Sequence, residues 1–83
     1  MHTEGPIAEA RRRLGIKIAQ LRTEENLTQR QFAQMVGINR TYLIDVEHGR
    51  RNIAFDNMMK IAGGFDMTLS ELVYDIEYQD ISK

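Results

Sequence analysis

Eighty-three residues, 42% hydrophobic and 28% charged, suffice for one small core and leave no length for a separate catalytic domain. Cysteine is absent, which excludes disulfides and thiolate metal sites and suits a reducing cytoplasm; no apolar run approaches the roughly 20 residues that span a bilayer, and MHTEGP does not open an export signal. The formal net charge of -1 conceals an asymmetry, because residues 1–52 hold nine Arg or Lys against six Asp or Glu while residues 53–83 hold two against six, a distribution suited to presenting one face to phosphates.

Residues 1–5 read as frayed, and Pro6 suits a first helical position. The steps of three and four among Ile7, Ala10, Leu14, Ile18 and Leu21 predict a helix over 7–24. Gly15 inside it costs about 1 kcal/mol against alanine, so it either permits a close helix approach or is tolerated weakness. Arg11, Arg12 and Arg13 form a basic cluster that fits an exposed helix face better than a phosphate site.

The stretch over residues 28–49, TQRQFAQMVGINRTYLIDVEHG, organises the rest. Thr28 and Gln31 have capping-box spacing, and Phe32, Ala33 and Val36 share a face, which predicts a helix over 29–36. Gly37 suits the left-handed closing position, and Ile38 can pack back on the turn. Asn39 then caps a second helix over 39–48, stopped by Gly49; two helices joined by so short a turn cross steeply, as in a helix-turn-helix. On that second helix Leu43, Val46 and part of Glu47 point one way, whereas Arg40, Thr41, Ile44, Asp45 and His48 share an arc of roughly 140° on the other. The free arc carries a guanidinium for guanine, a hydroxyl, an apolar contact for a thymine methyl and an acceptor for a cytosine amine, a set fitted to base edges in the major groove. A solvated helix face is the alternative. Asp45 and His48, three apart, are ordinary surface chemistry rather than a metal site, and no cofactor is implied.

Beyond Gly49, Arg50, Arg51 and Asn52 suit phosphate contacts that position a protein on DNA, and Gln29 can act likewise from the other end. A fourth helix is expected over 55–63, burying Phe55, Met58, Met59 and Ile61 or Ala62, with the methionines as core fillers. Thr68 and Glu71 repeat the capping-box spacing and open a fifth helix at about Leu69. Its stripe of Leu69, Leu72, Val73 and Ile76, with Tyr74 and Tyr78 beside it, exceeds what a small domain encloses easily, so these residues are expected at a dimer interface; the alternative is that they complete the monomer core around Phe65.

From Leu14 to Leu72 the segments LRTEENLTQRQFAQMVGI, NRTYLIDVEHGRRN and MMKIAGGFDMTLSEL resemble the lambda-repressor-like helix-turn-helix family, also called the Cro and repressor or XRE type. RTYL followed by GRRN is similar to the controller proteins of restriction-modification systems, small dimeric regulators. The resemblance implies an all-α fold, a compact five-helix DNA-binding domain over 1–83 with 78–83 as a C-terminal tail. It also implies that Arg22 late in the first helix meets Glu47 at the close of the reading helix. Ile53 and Ala54 depart from the family, standing where proline and a capping serine are common, and Asp66 replaces the usual closing glycine.

The resulting expectation is a cytoplasmic, sequence-specific regulator of transcription that binds double-stranded DNA as a homodimer, with half-sites about 34 Å apart on an inverted repeat. Arg40, Thr41, Tyr42, Ile44 and Asp45 would read bases, and Gln29, Arg50, Arg51 and Asn52 would hold the backbone. Two other classes compete. An antitoxin-type module would bind a partner toxin and autoregulate its operon; RNA polymerase is the other protein partner compatible with the resemblance. An enzyme would need a nucleophile-base set, metal cluster or phosphate loop, and none is visible in the sequence.

Overall fold

In the computed structural model, residues 5–77 are described, and among them there are five helices and no strand: α1 (Gly5–Glu24), α2 (Gln29–Val36), α3 (Arg40–Glu47), α4 (Phe55–Gly64) and α5 (Leu69–Val73). The capping chemistry decides where they start. Thr28 accepts from the Gln31 amide while Gln31 returns a side-chain bond to the Thr28 amide, and Thr68 and Glu71 do the same for α5. Asn39 Oδ1 accepts from the Tyr42 amide at the head of α3. Ala54, where a capping serine is common in the resembled family, has no side-chain bond to offer at the head of α4.

The ends follow one rule as well. After α1, α3 and α4 a residue in left-handed conformation sits between paired reverse bonds: Leu27 N to Arg22 O with Asn26 N to Thr23 O, Arg50 N to Asp45 O with Gly49 N to Val46 O, and Met67 N to Ala62 O with Asp66 N to Gly63 O. Asp66 thus takes the glycine role at φ 59°, as does Asn26, because a short polar side chain tolerates this region best after glycine. Gly37, at φ 78°, closes α2 with its amide on Ala33 O and turns the chain directly into α3.

The interior gathers Leu14 and Ile18 of α1, Phe32 and Ala33 of α2, Leu43 and Val46 of α3, Ile61 and Ala62 of α4, and Phe65, Leu72 and Ile76 from the C-terminal third. Four expectations change. α1 begins at Gly5, within the stretch expected to fray, and Ile7 in its first turn is 71% exposed. Phe55 and Met59 are exposed rather than buried, since Phe55 is the first residue of α4, overhanging the core, and Met59 is turned about 100° from Met58. Leu72 and Ile76, assigned to a dimer interface, lie inside the subunit: Leu72 is 0% exposed and Ile76 9%, because the turn after α5 folds Ile76 back onto the core. Leu69 and Val73 are half-buried against that core. Residues 1–4 and the expected tail over 78–83, with Tyr78, lie outside the described residues.

Gly15 marks the closest approach between α1 and α3. A Cβ there would stand 2.6 Å from the Glu47 carbonyl oxygen and closer still to that of Val46, backbone atoms that cannot rotate aside. Alanine would gain about 1 kcal/mol of helix propensity and lose more to the collision, so Gly15→Ala is expected to destabilise by about 1–3 kcal/mol net. Thermal unfolding followed by circular dichroism checks this; a raised Tm would show that α1 and α3 separate without penalty.

Candidate nucleic-acid interface

With Gly15 beneath its C-terminal end, α3 is held by packing on one side and by an ion pair at its last residue. Leu43 and Val46 are buried, and Glu47 is 8% exposed. Arg22 grips the Glu47 carboxylate with both ends of its guanidinium, Nε to Oε2 at 2.7 Å and Nη2 to Oε1 at 3.0 Å, while Nη1 donates to the Leu27 carbonyl at 2.8 Å. Such a fork fixes direction as well as distance. Gln29 Nε2 adds a third donor to the carboxylate at 2.9 Å. The Gln29 side chain, expected at a phosphate, completes this pair within the subunit, because a carboxylate withdrawn from water needs its remaining lone pairs satisfied.

The opposite face is uncovered. Arg40, Thr41 and His48 are exposed, and Ile44 and Asp45 partly so. His48 Nδ1 lies 2.8 Å from the Ile44 carbonyl, which can only accept, so that nitrogen carries the hydrogen. Asp45 turns elsewhere, toward the loop over residues 48–54. Its Oδ1 accepts from Arg50 Nη2 at 3.1 Å, and Oδ2 lies 3.7 Å from Arg51 Nη2. Among the described residues no group of three or more His, Cys, Asp or Glu is placed to hold a metal ion.

Tyr42 anchors the same loop. Its hydroxyl oxygen accepts the Ala54 amide at 3.1 Å, leaving its own hydrogen to donate, and the Arg51 guanidinium carbon stands 4.9 Å from the ring centre. The half-buried Tyr42 therefore borders the uncovered face of α3 and positions the Arg51 cation after it. Arg50, Arg51 and Asn52 are all exposed. Sequence reasoning placed these residues near one another but missed the network that joins them, since nothing in a linear pattern shows a ring from α3 stacking under a loop cation.

The basic cluster on α1 is engaged otherwise. Arg12 and Arg13 both bond Glu9, at 2.7 Å and 3.1 Å, and these bonds, Arg12 first, hold the Glu9 carboxyl below its usual range. One turn further along α1, Lys17 donates to the Glu71 carbonyl and to Asp75, tying α1 to the C-terminal turn and lowering the Asp75 carboxyl. None of the described helices is long and apolar enough to cross a membrane.

The pattern that defines the helix-turn-helix family matches residues 18–72, the span from the core face of α1 through α5. The control protein C.MunI from Mycoplasma sp. is 44% identical over 66 residues, which are 78% of this chain and 89% of that protein. The control protein C.BamHI from Bacillus amyloliquefaciens is 33% identical over 60 residues, 71% of this chain and 74% of that one. The crystal structure of the restriction-modification controller protein C.AhdI from Aeromonas hydrophila superposes with a TM-score of 0.70 at 34% identity, covering 74% of this chain and 92% of that one. The chain belongs to the helix-turn-helix family of XRE type, whose members are DNA-binding transcription regulators and not enzymes.

Proposed function

We propose that this protein is a restriction-modification controller that binds an inverted-repeat operator as a homodimer, using one regulatory domain per subunit. The carrying observation is the division of α3: Leu43, Val46 and Glu47 are locked inside while Arg40, Thr41 and Ile44 face outward beside a cationic loop. In this reading Arg40 grips guanine, Thr41 and Ile44 meet neighbouring base edges, and Tyr42 reaches a thymine methyl or phosphate at the groove margin. Arg50, Arg51 and Asn52 hold the phosphate backbone beyond the C-terminal end of that helix. The likeness to control proteins C.MunI and C.BamHI supports the regulatory role. Leu69 and Val73, with Tyr74 at 86% exposure, supply the remaining apolar surface for a two-fold contact in place of Leu72 and Ile76.

Selection of bound duplexes from a randomised pool would yield the operator, and fluorescence titration on operator and scrambled duplexes at several salt concentrations then tests the assignment. Arg40→Ala is expected to lose about 1–3 kcal/mol on the operator alone and to relax preference at one base pair. Arg51→Ala should weaken both duplexes and flatten the salt slope by about 1. Equal losses on both duplexes for Arg40→Ala would remove it from the reading role, and a pool that yields no preferred sequence would sink the regulator reading.

A further inference from the structure

We propose that Asp45 is not a base reader but an internal counter-anion for Arg50 and Arg51, a brake that DNA phosphates must displace before the loop can grip the backbone. The inference rests on the DNA-binding reading of α3 and assigns Asp45 a positioning role within it.

The geometry turns both carboxylate oxygens toward the loop cations. One oxygen accepts from Arg50 and the other faces Arg51, so that each of its two oxygens is met by a different cation. Arg50 is bound to Asp45 a second time, through its amide on the Asp45 carbonyl at 2.9 Å. Arg51 is fixed from its other side by the Tyr42 ring, and Tyr42 by the Ala54 amide. The loop from α3 to α4 therefore closes on Asp45 as its anionic centre. To reach a cytosine amine the carboxylate would have to turn away from the Arg50 bond and the Arg51 charge, an exchange of charge-assisted contacts for a neutral donor.

Removing that anion has a calculable consequence. Beside a phosphate lattice one carboxylate offsets one cation, and each cation on B-DNA contributes about 0.9 to the slope of log K against log salt. At about 0.15 M salt a slope of that size corresponds to about fivefold in affinity. The brake acts on phosphate contacts, which operator and bulk DNA share, so it lowers affinity for both without altering their ratio. The device weakens the hold on bulk DNA about fivefold at that salt while leaving unchanged the discrimination, which resides on Arg40, Thr41 and Ile44.

The test is Asp45→Asn, Asp45→Glu and the wild type, each titrated on operator and scrambled duplexes across a salt series, with the same Asp45→Asn change repeated in an Arg50→Ala/Arg51→Ala background. Asp45→Asn should bind both duplexes about fivefold more tightly and steepen the slope by about 1, while Asp45→Glu behaves as wild type. In the background lacking both arginines the gain should vanish, because the carboxylate acts through them. A gain of undiminished size in that background would reduce the effect to bulk charge and overturn the proposal. Loss on the operator alone, with relaxed preference at one base pair, would overturn it in favour of base reading. Wild-type protein that binds while Asp45→Asn leaves affinity and slope unchanged overturns the brake alone; wild-type protein that binds neither duplex overturns the DNA-binding reading and the brake together.

Discussion

Glu47→Ala is expected to lower the free energy of unfolding by about 3–5 kcal/mol, the range for breaking a buried ion pair from one side. The Arg22 side chain is only 12% exposed, and without its partner the guanidinium keeps a single bond, to Leu27 O, while its charge stays largely out of water. Gln29 loses its acceptor at the same time. In a small domain whose whole stability is about 5–15 kcal/mol, such a loss removes much of the margin, and each kcal/mol lowers Tm by about 4–8 °C. Urea unfolding by circular dichroism measures it. The comparison that identifies the cause is Arg22→Met/Glu47→Met, which removes both charges and should recover most of the loss, since a buried pair replaced by apolar side chains is often neutral. A Glu47→Ala protein within about 1 kcal/mol of wild type would mean that the pair is screened by water as a surface bridge is.

The consequence extends beyond stability. Glu47 is the residue through which α1 and the head of α2 both hold the end of α3. If α3 reads bases and the loop cations hold phosphates, as proposed, a folded Glu47→Ala protein at temperatures well below its Tm should bind its operator more weakly while its affinity for scrambled DNA changes little.

Phe32→Ala should cost a similar amount, about 3–5 kcal/mol, through a different mechanism. Phe32 is fully buried, and its ring stacks on Phe65 with centroids 4.5 Å apart and planes 13° from parallel, joining α2 to the segment after α4. Truncation loses the transfer energy of the ring, leaves a cavity between two helices that cannot collapse freely, and forfeits an aromatic pair worth about 0.5–1.5 kcal/mol. The midpoint in urea should fall with the slope unchanged, the sign that stability and not the unfolded state has moved. Phe32→Leu should retain most of the stability. If Phe32→Ala instead unfolded near the wild-type midpoint, the Phe32–Phe65 stack could not be the centre of this core.

What lay open in the sequence was local. Thr28 with Gln31, Asn39, and Thr68 with Glu71 announced three helix starts, because a cap depends on residues three apart and nothing distant. Gly37 announced the turn, and the spacing of Leu43 and Val46 announced which side of α3 is buried. The Arg22–Glu47 pair was legible through family resemblance, not through spacing, since 25 residues separate the partners.

Tertiary packing settled the rest. Phe55, Met59 and Ile7 fit an apolar stripe as well as any core residue, yet Phe55 and Ile7 stand in the first turns of their helices, Met59 is turned away from Met58, and all three remain exposed. Leu72 and Ile76 had the same composition as an interface and became core, because the turn after α5 carries Ile76 back over α1. Gln29, Tyr42 and Asp45 were each read as facing DNA, and the folded subunit adds a partner to each that spacing does not show: Glu47, Ala54 with Arg51, and Arg50 with Arg51. Periodicity states which way a side chain leaves its own helix; whether it meets water, a counter-charge or another helix depends on elements far away in the chain, and these only the folded structure brings together.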